Sequence, residues 1–265
     1  LPPAADEVCL FYLELVHRIL PGRLKGLYVY GSAVLNDFRI SKSDADFISV
    51  MDSKPEGETI EKLQLIHSMV QLKYKKPNMN GIYVTSDQLG KSKKEIKPIT
   101  YYYEGTIYDN GYFEINYVTW YLLKYCSFTV WGTPADELKL NVNMDELLDE
   151  MKENMRTYWR NWIDKALNPL RISYYAAFAA QRIEWGVLGI TRQYYTFHEK
   201  KITSKSDAGL WAVNIVPEKY HWILSEAVNI RNGEKSLYSS LFKRKHEAIS
   251  YMNYIFNECR NRKFI

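Results

Sequence analysis

The hydrophobic period of this chain changes once, and the change divides what it can fold into. In the first half, short β-rich apolar runs alternate with amphipathic helical ones; from Asn143 onward nearly every stretch repeats its apolar residues at helical spacing. "ADEVCLFYLELVHRIL" (5–20) reads as a helix that stops at Pro21-Gly22, followed by a strand in "LKGLYVYGS" (24–32) and a second in "DADFISVM" (44–51). An amphipathic helix (56–74), a strand in "GIYVTS" (81–86), a helix (117–126) and an extended piece (128–132) complete that half. Helices are then predicted over about 143–167, 170–198, 204–215, 218–231 and 236–261, with breaks at Pro169, Pro217 and Asn232-Gly233. The expectation is an α+β chain: a small mixed β-sheet with flanking helices over residues 1–141, then a C-terminal helical bundle over 142–265.

Between the first two strands lies "YGSAVLNDFRISKSDADF" (30–47), where Gly31-Ser32 ends one apolar run and Asp44 and Asp46 open the next. Residues two apart in a strand share a face, so the two aspartates point the same way about 7 Å apart. Like charges so placed push one carboxyl toward its neutral form. A magnesium ion removes the conflict, since it takes one or two carboxylates and fills its shell with water and phosphate oxygens. Gly31 lets the backbone approach a ligand closely, and the hydroxyls of Ser32 and Ser43 flank the place where phosphates would lie.

Composition narrows the rest. Lys and Arg exceed Asp and Glu by 35 − 31 = 4, and apart from "KSKKEIK" (91–97) and "FKRKH" (242–246) the basic residues are scattered, which disfavours nucleic acid as a partner. No apolar run approaches the roughly 20 residues of a membrane helix. Cys9, Cys126 and Cys259 lack metal-ligand spacing and read as reduced thiols, so a cytoplasmic monomer without a membrane partner is expected.

The Gly-Ser and Asp-x-Asp constellation resembles the signature of the nucleotidyltransferase superfamily with the DNA-polymerase-β-like fold. Residues 27–50 are similar to the corresponding segment of aminoglycoside adenylyltransferases acting on streptomycin and spectinomycin. "GITRQYYTFHEKKITSKSDAGLWAVNIVPEKY" (189–220) resembles a stretch of their helical domain. The resemblance implies Mg²⁺-dependent transfer of AMP from ATP to a hydroxyl of a small molecule, an aminoglycoside or aminocyclitol, with release of pyrophosphate. It makes Asp44 and Asp46 the metal ligands, and Gly31, Ser32, Ser43, Arg192 and Lys205 the residues that bind the nucleotide.

The third carboxylate of the related enzymes falls here on Asn80 or Gly81, neither of which is a base. Glu104, in "YYYEGTIYD", is the candidate to replace it, and Glu114 is the other nearby acid in sequence. A nucleotide-binding or regulatory protein with reduced or no transferase activity is the alternative expectation. Trp185, Tyr194, Tyr195 and Trp211 are candidates to stack on a sugar or base, against a reading as core aromatics.

Overall fold

The β-rich runs of the first half hydrogen-bond into one six-stranded sheet in the computed structural model, which describes residues 1–265. Its strands are β1 (Leu24–Tyr30), β2 (Ala45–Met51), β3 (Met79–Thr85), β4 (Ile99–Tyr103), β5 (Thr106–Gly111) and β6 (Phe128–Gly132), in the order β5-β4-β3-β2-β1-β6. β2 and β3 are parallel and every other neighbouring pair is antiparallel. A parallel step requires a crossover, and α2 (Glu58–Lys73) supplies it beside α1 (Pro3–Ile19).

Alternation along the strands assigns the faces. Leu27 and Val29 of β1, Ala45 and Phe47 of β2, Met79 and Tyr83 of β3 and Tyr102 of β4 join Val8, Tyr12 and Leu15 of α1 and Leu63, Ile66 and Val70 of α2 in one apolar core. Each fully buried Leu, Val or Phe there stabilises the fold by about 1.5–3 kcal/mol. The core encloses a polar chain: Tyr12 Oη lies 3.1 Å from Tyr83 Oη and 3.3 Å from Ser49 Oγ, and His67 Nε2 lies 2.6 Å from Tyr83 Oη. The His67 ring stacks on Tyr102 at 3.5 Å, and burial drives its pKa down to about 3.

Gly81 of β3 stands beside Phe47 of β2. A Cβ at Gly81 would run into the Phe47 carbonyl oxygen and lie 2.6 Å from its ring, so only glycine lets the two strands close. The other face of the sheet carries Tyr30, Asp44 and Asp46. It also meets α3 (Tyr117–Tyr125), whose N-cap Asn116 accepts the Thr119 N–H at 2.9 Å.

Two features depart from the sequence reading. The β4–β5 hairpin falls in a stretch for which the sequence predicts no strand, because "ITYYY" is a nearly continuous apolar run and the turn is Glu104-Gly105. The span 170–198 is not one helix but two, α6 (Ile172–Ala176) and α7 (Ala180–Glu199), numbered after α4 (Met144–Asn154) and α5 (Arg160–Leu167). The break leaves backbone carbonyls without helical partners. Arg244 Nη2 donates to Phe178 O and Lys245 Nζ to Tyr174 O, both at 2.8 Å.

The second half continues with α8 (Lys205–Val213), α9 (His221–Asn232) and α10 (Leu241–Asn261), all three packed on α7. The chain divides into two compact units, Leu1–Asn143 and Met144–Ile265. The mixed sheet with flanking helices, followed by a helical unit, is the α+β architecture the sequence implies. Cys9, Cys126 and Cys259 are unpaired, and no helix is long and apolar enough to cross a membrane.

Candidate active site

β1 ends at Tyr30, and Gly31 turns the chain with φ +74° into a single 3₁₀ turn over Gly31–Ala33. Across the sheet, Asp46 is the register partner of Tyr30 on one side and of Asn80 on the other. The two facts meet at one carboxylate: a Cβ on Gly31 would lie 2.6 Å from Asp46 Oδ2. The glycine is needed twice over, for its left-handed backbone and for the space that Asp46 occupies.

The loop between the strands is folded back on itself. Ser43 is buried; its Oγ accepts the Arg39 N–H at 2.9 Å and its own N–H donates to Arg39 O at 2.7 Å. Asp37, also buried, lies 3.9 Å from Arg39 Nη2, and its N–H donates to Ser32 O at 3.2 Å. Ser43 therefore braces the loop that delivers Asp44, and Ser32 anchors its other end through its carbonyl.

Asp44 precedes β2 and shares its face with Asp46. Asn80 Nδ2 donates to Asp44 Oδ2 at 2.9 Å, and Asn80 Oδ1 accepts the Glu104 N–H at 3.0 Å. The Asn80 side chain thus ties Asp44 to the β4–β5 turn. Burial pushes the Asp44 carboxyl above the usual aspartate range, Lys76 and the Asn80 bond pull it down, and the Glu104 charge pushes it up. Glu104 lies within electrostatic reach of Asp44.

Glu104 holds φ +46°, followed by Gly105 at φ +90°, in a two-residue hairpin joining Tyr103 to Thr106. Such turns favour Asn-Gly or Asp-Gly. A glutamate in the left-handed region is strained, and such strain gathers at functional sites.

Glu114 has a different setting, since its Oε2 accepts the Thr119 hydroxyl at 2.9 Å. Thr119 also bonds Tyr30, whose phenol is raised far above its ordinary range by burial and by the charges of Glu114 and Asp46. Tyr30, Thr119 and Lys76 had no signal in the sequence; they join the site through register and loop closure.

In the helical unit, Ser204 caps α8 by accepting the Asp207 N–H at 3.1 Å, and Lys205 is the first helical residue. Lys205 is not a solvated side chain: its Nζ donates to Glu184 Oε1 at 3.0 Å. Arg192 lies on α7 within electrostatic reach of Lys205. The aromatic candidates pack on other rings. Tyr194 and Tyr195 both contact Trp211, with centroids 5.8 and 5.1 Å away, and Trp185 packs on Trp159 at 4.9 Å.

The donors suit a hard cation. Two carboxylates share a face, with Asp46 seated in the space a Cβ at Gly31 would fill, and no group of three or more His, Cys, Asp or Glu side chains gathers as a metal cage. Such a set supplies a minority of an octahedral shell and leaves the remainder to water and phosphate, as magnesium prefers.

A mixed sheet presenting paired aspartates beside a Gly-Ser turn, followed by a helical unit, is the arrangement that the resemblance read from the sequence implies. Residues 141–258 match the family model described as "Aminoglycoside adenylyltransferase, C-terminal domain". Among solved structures, the chain is similar to a crystal structure of spectinomycin adenyltransferase AAD(9) from Enterococcus faecialis with ATP and spectinomycin. The TM-score is 0.66 at 17% identity, covering 95% of this chain and 98% of that one, and at that identity the likeness is one of fold. No curated protein matches. The match of residues 141–258 agrees with the resemblance to aminoglycoside adenylyltransferases read from the sequence, and the likeness of fold agrees with the architecture it implies.

Proposed function

We propose that this protein transfers AMP from ATP to a hydroxyl of a small antibiotic of the aminoglycoside or aminocyclitol class, acting as a cytoplasmic monomer. The observation that carries the reading is the Asp44–Asp46 face, with Gly31 cleared for Asp46 and Asn80 joining Asp44 to the Glu104 turn. The match of residues 141–258 to an adenylyltransferase domain supports it, as does the likeness to a structure solved with ATP and spectinomycin.

Asp44 and Asp46 would hold magnesium, which supplies neutralisation of phosphate charge when bound. The acceptor hydroxyl oxygen bonds to the α-phosphorus, the bond from that phosphorus to the α,β-bridging oxygen breaks, and pyrophosphate leaves. The hydroxyl proton goes to Glu104, an exposed carboxylate on the turn beside Asp44. Gly31 and Ser32 would receive the phosphates with backbone N–H groups while Ser43 keeps the loop closed, and Arg192 and Lys205 are the helical unit's own candidates for binding nucleotide phosphate.

A second reading, a nucleotide-binding protein without transfer, is favoured by one observation: Asn80, which with Gly81 is where the third carboxylate of the related enzymes would fall, is an amide bonded to Asp44. Pyrophosphate release from magnesium and ATP, measured across streptomycin, spectinomycin, other aminoglycosides and a lincosamide, separates the two. Release that depends on one acceptor and vanishes in Asp46→Asn establishes the transferase. ATP binding with no release from any acceptor establishes the second reading, and absence of ATP binding removes both.

A further inference from the structure

The two most exposed large apolar side chains of the protein, Leu170 at 92% and Ile172 at 88%, flank Arg171 where α5 passes into α6. Phe242, at the start of α10, is 73% exposed, and Leu167, Tyr175 and Leu241 are all more than half exposed. The two stretches adjoin: the Phe178 and Phe242 rings meet at 4.9 Å, and Arg244 and Lys245 of α10 donate to Phe178 O and Tyr174 O. A single exposed leucine is ordinary, whereas a group of large apolar side chains on adjoining segments marks an interaction surface.

The charge on these segments is one-sided. Residues 165–183 hold Lys165, Arg171 and Arg182, residues 235–246 hold Lys235, Lys243, Arg244 and Lys245, and neither stretch contains an Asp or a Glu. Arg244 and Lys245 are buried and engaged by backbone carbonyls; the other cations are exposed. Of the acids next in sequence, Asp164 bonds Arg160 and Glu247 bonds Tyr238, with Glu247 also 3.8 Å from Lys243.

Apolar side chains that project into solvent beside cations are complementary to an anionic bilayer. The apolar groups enter the acyl boundary, and Lys and Arg reach back to the headgroup phosphates. Entry into that zone requires backbone polar groups that are already satisfied. The Leu170 N–H donates to Asn168 Oδ1 and the Arg171 N–H to Asn168 O, both at 3.0 Å, and Ser240 caps α10 by accepting the Lys243 N–H at 3.3 Å.

We propose that this face attaches the second unit to the surface of an anionic bilayer, with Leu170, Ile172 and Phe242 in the acyl boundary and Lys165, Arg171 and Lys243 at the lipid phosphates. It departs from the expectation of no membrane partner, which rests on the lack of a spanning run. Surface attachment needs no helix long and apolar enough to cross a membrane, and none is present. None of the residues assigned to metal or nucleotide takes part, so attachment and AMP transfer stand or fall separately.

The test is co-sedimentation of the full chain with vesicles of phosphatidylcholine, alone or mixed with phosphatidylglycerol, with gel filtration of the free protein beside it. Binding is expected to the acidic vesicles and not to the neutral ones, and it should weaken as salt rises. Leu170→Ser combined with Ile172→Ser should reduce binding by about tenfold or more, since removing one inserted apolar side chain is already of that order. Arg171→Gln should reduce it by about fivefold. Leu72→Ser, at a leucine 76% exposed on α2, should leave it unchanged. Melting temperatures should hold in all of these, because the altered side chains face solvent; if the double variant melts early, Phe242→Ser reads the same loss.

Absence of binding to acidic vesicles overturns the proposal, as does binding of equal strength to neutral ones. Binding that the folded double variant retains, or that Leu72→Ser weakens as much, overturns it too. Self-association that the double variant abolishes, with vesicles left unbound, would make the face a contact between copies of the chain and overturn attachment to lipid.

Discussion

Asn80 donates its side-chain amide to Asp44 at 2.9 Å, and this bond fixes a carboxylate that burial would otherwise drive toward its neutral form. The same amide's oxygen accepts the Glu104 N–H, so one side chain sets both the candidate metal ligand and the turn carrying the candidate base. Asn80→Ala is expected to cost about 1–2 kcal/mol from the two lost bonds. It should lower kcat by about 10–100-fold through misplacement of reacting groups. Thermal melting and acceptor-dependent pyrophosphate release check the two numbers; full activity in a folded variant would show that Asn80 holds nothing the reaction needs.

Gly31→Ala tests the space beside Asp46. The new methyl would lie 2.6 Å from Asp46 Oδ2 on a backbone at φ +74°. The left-handed conformation alone costs an L-residue about 1–2 kcal/mol, and the displaced carboxylate should reduce transfer by about 100-fold or more. Denaturant melts and initial rates measured together distinguish lost folding from lost alignment.

Glu104→Gln is expected to reduce kcat by about 10²–10⁴-fold, the span of general-base contributions, with ATP affinity nearly unchanged. Glu114→Gln should do less, since Glu114 is engaged by Thr119 at 2.9 Å. The reverse order of effects would move the proton acceptor from the hairpin turn to the start of α3.

His67 makes stability depend on pH. Its pKa is about 3 when folded, lowered by burial, against 6.5 in the unfolded chain. A group held neutral by folding binds its proton in the unfolded state, so its contribution is complete above pH 6.5 and is lost as pH falls toward 3. The expected slope is about 1.4 kcal/mol per pH unit between those limits. Urea unfolding at about pH 7, 6 and 5 measures it, and His67→Phe should flatten that slope.

The division into a sheet-bearing half and a helical half is legible in the chain alone, because a change of hydrophobic period from two to about 3.6 is a local property. The Gly-Ser and Asp-x-Asp edge is legible for the same reason, since short spacings put Asp44 and Asp46 on one face whatever surrounds them. The break at 177–179 was invisible because the groups that stabilise it, Arg244 and Lys245, lie more than sixty residues away on α10.

What Asn80 does emerges only on folding. Its two hydrogen bonds reach 36 residues back to Asp44 and 24 forward to Glu104, and both depend on β2, β3 and β4 pairing in register. The meeting of Glu184, Lys205 and Arg231 belongs to the same category, for three charges on three helices come together only once those helices pack. Local spacing sets which residues share a face; long-range packing sets which faces meet, and the chemistry of both clusters lies in the second.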